Sequence, residues 1–248
     1  MSDITPVTVP SSVYTTDLHS DLTEHLQWYG AGKLHPTHLG DALHNNRYHI
    51  VHKLDHHNHS LSWLARDTAT NTWRRIAVVH GSSDVTRGYE LAADRMLRER
   101  SKSTAAAAAD AKGILLAKFF EHGPNGTHLC MVFPLNGEVN GFRWGLPERD
   151  ASVMNEAWFV RQCAKLRGGG GGNNRPANVH AITEKEMLMI LGRPRVIEVD
   201  DELRAGALAP VAAQQHGGYQ VLPRYLVLRP DKIEEDVDFW LSSRAFER

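Results

Sequence analysis

The sequence predicts an α+β protein: a five-stranded antiparallel sheet carrying one helix, followed by elements too few to complete a second, larger lobe. Three observations point there. From Tyr48, residues alternate apolar and polar through Ile50 and His52, pass a polar turn, and resume at Trp63-Leu64-Ala65 before Asp67, the pattern of a hairpin. Ile76-Ala77-Val78-Val79 is a short apolar run of the kind a buried strand shows, and Val85, Tyr89, Ala92 and Met96 then recur at helical spacing. Two further strand-like segments, Gly113 to Phe120 and His128 to Phe133, flank the turn Gly123-Pro124-Asn125-Gly126.

Residues 1 to about 28 mix Thr, Ser, Pro and acids without a clear period and read as a flexible lead-in or loosely docked arm, to which no function is assigned. The helix after the third strand takes its cap from Ser82, Ser83 or Asp84 and carries a basic tail, Arg95, Arg98 and Arg100, which its own dipole accounts for. The alanine run Ala105 to Ala109 either prolongs it or forms an insert. A further helix is expected from Ser152 to Leu166, stopped by five glycines, Gly168 to Gly172. Thr183 and Glu186 make a capping box for a short helix through Met187, Leu188, Ile190 and Leu191, closed by Gly192 and Pro194. A strand follows at Tyr225-Leu226-Val227-Leu228.

The chain has 248 residues, 42% hydrophobic and 23% charged, which places it among globular proteins and outside the collagen-like and disulfide-scaffold classes. A formal net charge of -1 leaves no overall field toward nucleic acid or an anionic membrane. Apolar runs such as Ile114 to Ala117 fall far short of the roughly 20 residues of a membrane span. With two cysteines, Cys130 and Cys163, and no leader pattern, the expected setting is the reducing cytoplasm or nucleus. Both cysteines read as core thiols, and the Asn125-Gly126-Thr127 sequon as an unused turn. Histidine is the outlier, 15 residues, with His49, His52, His56, His57 and His59 grouped; lacking cysteines, that group reads as a solvated turn rather than a metal site.

The stretch Tyr29-Gly30-Ala31-Gly32-Lys33-Leu34-His35-Pro36-Thr37-His38-Leu39-Gly40-Asp41, followed by Arg47-Tyr48 and Lys53-Leu54, resembles the opening of SR-protein-specific kinases, above all their divergent fungal relatives. The resemblance continues through Ser60, Trp63 to Asp67, the block Phe120 to Phe133 and Arg175-Pro176-Ala177-Asn178-Val179. It implies a protein-kinase-like small lobe over 29–137 and a shortened, incomplete large lobe over 138–248, with the activation segment and later helices missing.

A kinase holds phosphates with a glycine-rich loop and a strand lysine paired to a helix glutamate, while carboxylate and amide ligands carry magnesium. Set against the family pattern, the loop begins at Leu54 and its glycine positions hold Asp55 and His57. Ala77 matches the strand alanine, Val79 stands at the lysine position and Glu90 at its partner's, where it reads as solvated or locally paired. Phe133 is the gatekeeper, with the Pro134 carbonyl and the Asn136 N–H at the adenine hinge. Asn173 replaces the catalytic aspartate, and a neutral amide is no proton acceptor of that kind. Asn178 and Asp238 fall at the magnesium positions, Asp238 through Asp238-Phe239-Trp240, for which an acidic tail packing its aromatic rings is the alternative.

The resemblance therefore implies ATP and magnesium as cofactors, with weak or absent binding here; any nucleotide is expected to bind through adenine, adenosine about as well as ATP. The leading expectation is a pseudokinase acting by binding a protein partner, of unknown identity, without contacts to nucleic acid or membrane. The alternatives are a weakly active serine/threonine kinase acting on arginine-serine-rich splicing proteins, and a decayed product with no selected activity.

Overall fold

The computed structural model describes residues 5–9, 11, 23–102, 115–135, 179–208, 221–228 and 230. The expected helix over 152–166 and the glycine run lie outside them. The described strands are β1 (Val7–Val9), β2 (Ala42–Leu43), β3 (Tyr48–His57), β4 (Ser60–Asp67), β5 (Thr72–Val79), β6 (Ala117–Gly123), β7 (Gly126–Pro134), β8 (Arg195–Glu198) and β9 (Tyr225–Val227). The described helices are α1 (Ser83–Lys102), α2 (Glu184–Leu191) and α3 (Asp201–Leu208).

The five expected antiparallel strands are β3 to β7, but the sheet has six, in the order β2-β3-β4-β5-β7-β6. The sixth, β2, is two residues long and is turned back onto β3 by His44, Asn45 and Asn46, all at positive φ. No hydrophobic pattern announces so short a strand, whereas left-handed Asn residues are what such a turn requires. Asn71 performs the same service between β4 and β5 at φ 52°.

Side chains of the sheet sort onto two faces by alternation, interrupted in β3 by register shifts between Ile50 and His52 and between Lys53 and Asp55. Leu61, Trp63, Ala65, Ile76, Val78, Cys130 and Val132 share one cluster with Leu26, Tyr29 and Leu34 from the segment before the sheet and with Val196, Leu226 and Val227. The last three belong to a second sheet, β1-β8-β9, with β1 parallel and β9 antiparallel to β8. On the opposite face, Ala77, Val79, Leu129, Met131 and Phe133 pack with Ala93, Val85, Tyr89 and Met96 of α1. Beside them Val51, Leu54, Leu64 and Trp73 pack with Ile182 and with Met187, Ile190 and Leu191 of α2.

Helix starts follow local chemistry. The Ser82 hydroxyl, among the three residues offered as cap, accepts from Val85 N at 3.4 Å. The capping box of α2 is formed in both directions: Glu186 N donates to Thr183 Oγ1 at 3.2 Å and Thr183 N to Glu186 Oε2 at 2.7 Å.

Two expectations are corrected. Within the expected loose arm, Val7–Val9 pairs with β8, and Thr23, Glu24 and Leu26 are buried; the contacts that hold them come from residues far away in sequence, which a local reading does not see. The histidine group is not a solvated turn throughout, since His52 and His56 are buried, His52 Nδ1 lying 2.6 Å from the Lys53 carbonyl. Asn125 is also turned inward, its amide donating to the carbonyls of Leu34 at 2.8 Å and Val221 at 3.0 Å.

Candidate functional site

On β5 the residues 73, 75, 77 and 79 point to the face shared by α1 and α2, because neighbouring side chains on a strand alternate. Val79, expected from the resemblance at the position of a phosphate-binding lysine, is fully buried and packs with Ala93 of α1. Glu90, on the same helix, does not approach the strand with a free carboxylate: Lys118 of β6 donates to its Oε1 at 3.0 Å and lies 2.8 Å from Asp94 Oδ1. Burial lowers the Lys118 ammonium, but the two carboxylates outweigh it and hold the group above its ordinary value. The helix glutamate therefore serves a lysine on a different strand.

The other expected cofactor positions that the structure describes are also on this face. Leu54, Ala77 and Phe133 are 2%, 6% and 2% exposed. Leu54 shares its apolar cluster with α2, and Ala77 and Phe133 share theirs with α1. Pro134 pairs in register with Arg74 at the end of β7. Asn136, Asn173, Asn178 and Asp238 lie outside the described residues. The face thus brings Leu54, Ala77, Val79 and Phe133 onto one surface of the sheet, covered by the chain's own helices.

A residue that the sequence reading passed over stands among them. Arg75 faces Leu64 on β4 and Phe133 on β7 in register, and its guanidinium carbon sits 4.2 Å from the Phe133 ring centroid. Burial pushes the guanidinium down to about 10, with the charge of Asp55 opposing. The alternation that puts Ala77 and Val79 on this face also puts Arg75 there, so the signal was present in the sequence.

A magnesium triphosphate does not fit the described residues. The strand position that should carry an ammonium carries a sealed valine, the helix glutamate is committed to Lys118, and Asp55 brings a carboxylate to the start of the loop. Among the described residues no group of three or more His, Cys, Asp or Glu side chains could hold a metal ion. Cys130 is buried, and burial raises its thiol well above the ordinary value, which suits a core group and not a nucleophile. No helix of the described residues is long and apolar enough to cross a membrane.

No protein-family model matches the chain. It is 34% identical over 117 residues, 46% of its length, to Protein kinase dsk1 of Schizosaccharomyces pombe, and covers 21% of that protein. To the serine/threonine-protein kinase SKY1 of Saccharomyces cerevisiae it is 35% identical over 121 residues, 46% of the chain and 16% of the relative. To the serine/threonine-protein kinase spk-1 of Caenorhabditis elegans it is 31% identical over 109 residues, 44% of the chain and 11% of the relative. The chain thus spans about a fifth or less of the length of these relatives. A crystal structure of a kinase domain is similar at 16% identity and a TM-score of 0.34, over 52% of this chain and 35% of that one. Over a little under half of its length the chain is thus similar to these protein kinases, and the five antiparallel strands and the helix expected from the sequence are present in its six-stranded sheet and α1.

Proposed function

We propose that this protein is a pseudokinase of the cytoplasm or nucleus that acts by binding a protein partner and does not transfer phosphate efficiently. One observation carries the reading: Val79 is sealed in the α1 cluster while Glu90 is held by Lys118. Phosphoryl transfer is almost entirely positioning and electrostatic stabilisation, so a site without the lysine–glutamate pair loses its means of holding the phosphates. Asn173 in place of the catalytic aspartate adds the loss of a proton acceptor.

The outer face of α1 offers a surface for a partner. Leu91, 61% exposed, lines a groove of about 410 Å³ with Arg95, Arg98 and Glu99. An acidic segment carrying one apolar side chain matches two arginines beside a leucine.

The test is a phosphotransfer assay with magnesium-ATP and an arginine-serine peptide, using the whole chain. No turnover above a protein-free blank is expected. Turnover that disappears in Asp238→Ala would reverse the reading in favour of a weakly active serine/threonine kinase acting on arginine-serine-rich splicing proteins.

A further inference from the structure

Arg75 occupies a seam. Trp73, two residues before it on β5, belongs to the apolar cluster under α2, and Ala77, two residues after it, belongs to the cluster under α1. Between two greasy patches the strand presents one guanidinium, on a residue only 8% exposed. No described side chain or carbonyl accepts a hydrogen bond from it, a rare condition for a group with five donors.

The guanidinium carbon lies over the Phe133 ring, so the cation is backed by an aromatic face while no described group accepts from its N–H bonds. A planar fork backed by an aromatic ring and flanked by apolar side chains is suited to bidentate capture of an oxyanion, in surroundings where water competes poorly. Asp55 supplies the counter-charge in the absence of ligand but forms no ion pair with Arg75. An apolar residue would fill the seam better if packing were its whole purpose, because burying an unpaired cation is costly.

We propose that Arg75 is the anchor of an oxyanion-binding site on this face of the sheet, taking the phosphate or carboxylate of a small molecule without magnesium. The ligand preference that follows is the reverse of the adenine-led expectation: the anion, not the base, is the recognised group. The inference does not depend on the pseudokinase reading, since Arg75 lies outside the lysine–glutamate pair on which that reading stands.

The experiment is calorimetry on the whole chain in magnesium-free buffer with pyrophosphate, ADP, adenosine and benzoate, comparing the wild type with Arg75→Met and Arg75→Lys. Pyrophosphate or ADP binding identifies a phosphate ligand and benzoate binding a carboxylate ligand; adenosine should bind at least tenfold more weakly than ADP in the phosphate case. Affinity should fall at least tenfold in Arg75→Met, which keeps the apolar contact with Phe133, and less in Arg75→Lys. Should the variants fail to fold, phenylglyoxal modification of wild-type Arg75, located by peptide mass, should slow when the bound anion is present. No oxyanion binding, binding unchanged in Arg75→Met, or labelling indifferent to every anion overturns the proposal. Phosphotransfer measured on the same samples separates the two readings, because turnover defeats the pseudokinase and leaves the Arg75 result standing on its own.

Discussion

Lys53 and Glu24 form an ion pair in which both side chains are buried, one on the central part of the six-stranded sheet and the other in the irregular segment before it. The Tyr29 hydroxyl donates to Glu24 Oε1 at 2.5 Å and the Thr23 hydroxyl to Oε2 at 2.8 Å, so the carboxylate is saturated with partners. Lys53 also donates to Thr23 Oγ1 at 3.3 Å and lies 6.0 Å from the Trp63 ring centroid. The pair pins residues 23–29 to the sheet face away from α1. Its lysine is not a substitute for the one missing at position 79, because it points to the opposite face.

Removing one partner of a buried pair leaves the other charge without compensation. Lys53→Met is expected to lower unfolding free energy by about 3–5 kcal/mol, measured by urea denaturation. The double variant Lys53→Met with Glu24→Gln should recover a large part of that loss. A double variant whose loss equals the sum of the losses in Lys53→Met and Glu24→Gln alone would mean that the pair has no coupling.

Val79→Lys should not restore phosphate binding. The new ammonium would enter the cluster of Val85, Tyr89, Ala93 and Met131, where Glu90 is already engaged by Lys118, and burying an unpaired cation is expected to cost several kcal/mol. The expected result is a lower melting temperature and unchanged ATP affinity. A joint gain in affinity and thermal stability would show that Glu90 can leave Lys118, which contradicts its assigned role.

How much of this was readable beforehand depended on the range of the interaction. The strands β3 to β5, the helix α1 and the capping box of α2 are written in alternation, helical spacing and a Thr-x-x-Glu pattern, all local signals. Glu24 carries no such signal, since what buries it is Lys53, Tyr29 and Thr23 meeting in three dimensions. The short strands β1 and β8 pair across a long stretch of intervening sequence. At the site, Ala77 and Val79 lie by alternation on the covered face, yet a charged residue on a strand is ordinarily taken to face water. Arg75 was passed over for that reason, although it follows the same alternation inward.

Acid should destabilise the fold before its carboxylates titrate. His35 and His52 are buried, and burial lowers each imidazole from 6.5 to about 4; His35 is further lowered by His128 and His38 and raised by Asp41, and His52 is lowered by Arg195. Because the folded values lie below the unfolded one, the unfolded chain takes up protons first. Stability is complete above pH 6.5 and is lost as the pH falls toward 4, by about 3 kcal/mol for each histidine. Denaturation midpoints measured between pH 7 and pH 4 should therefore fall, and fall less steeply in His35→Phe. An unchanged slope in that variant would exclude His35 as a source of the effect.

His35 is seated by a close contact with Gly123. Gly123 ends β6 at the turn into β7, and a Cβ built there would overlap the Cε1 and Nδ1 atoms of the His35 ring. That ring also lies 4.8 Å from the His128 ring, centroid to centroid, so it has no room to retreat toward β7. Gly123 is thus required for space rather than for backbone conformation. Gly123→Ala should displace His35 and loosen residues 29–43 from the sheet, at a stability loss of about 1–3 kcal/mol, the range for overpacking a filled site. Truncating the ring removes the obstacle: in a background of His35→Ala, the same Gly123→Ala change should cost markedly less. A double-mutant cycle by urea denaturation reads this directly. Equal losses in both backgrounds would mean that the glycine serves the turn itself and that the seating of His35 against it is incidental.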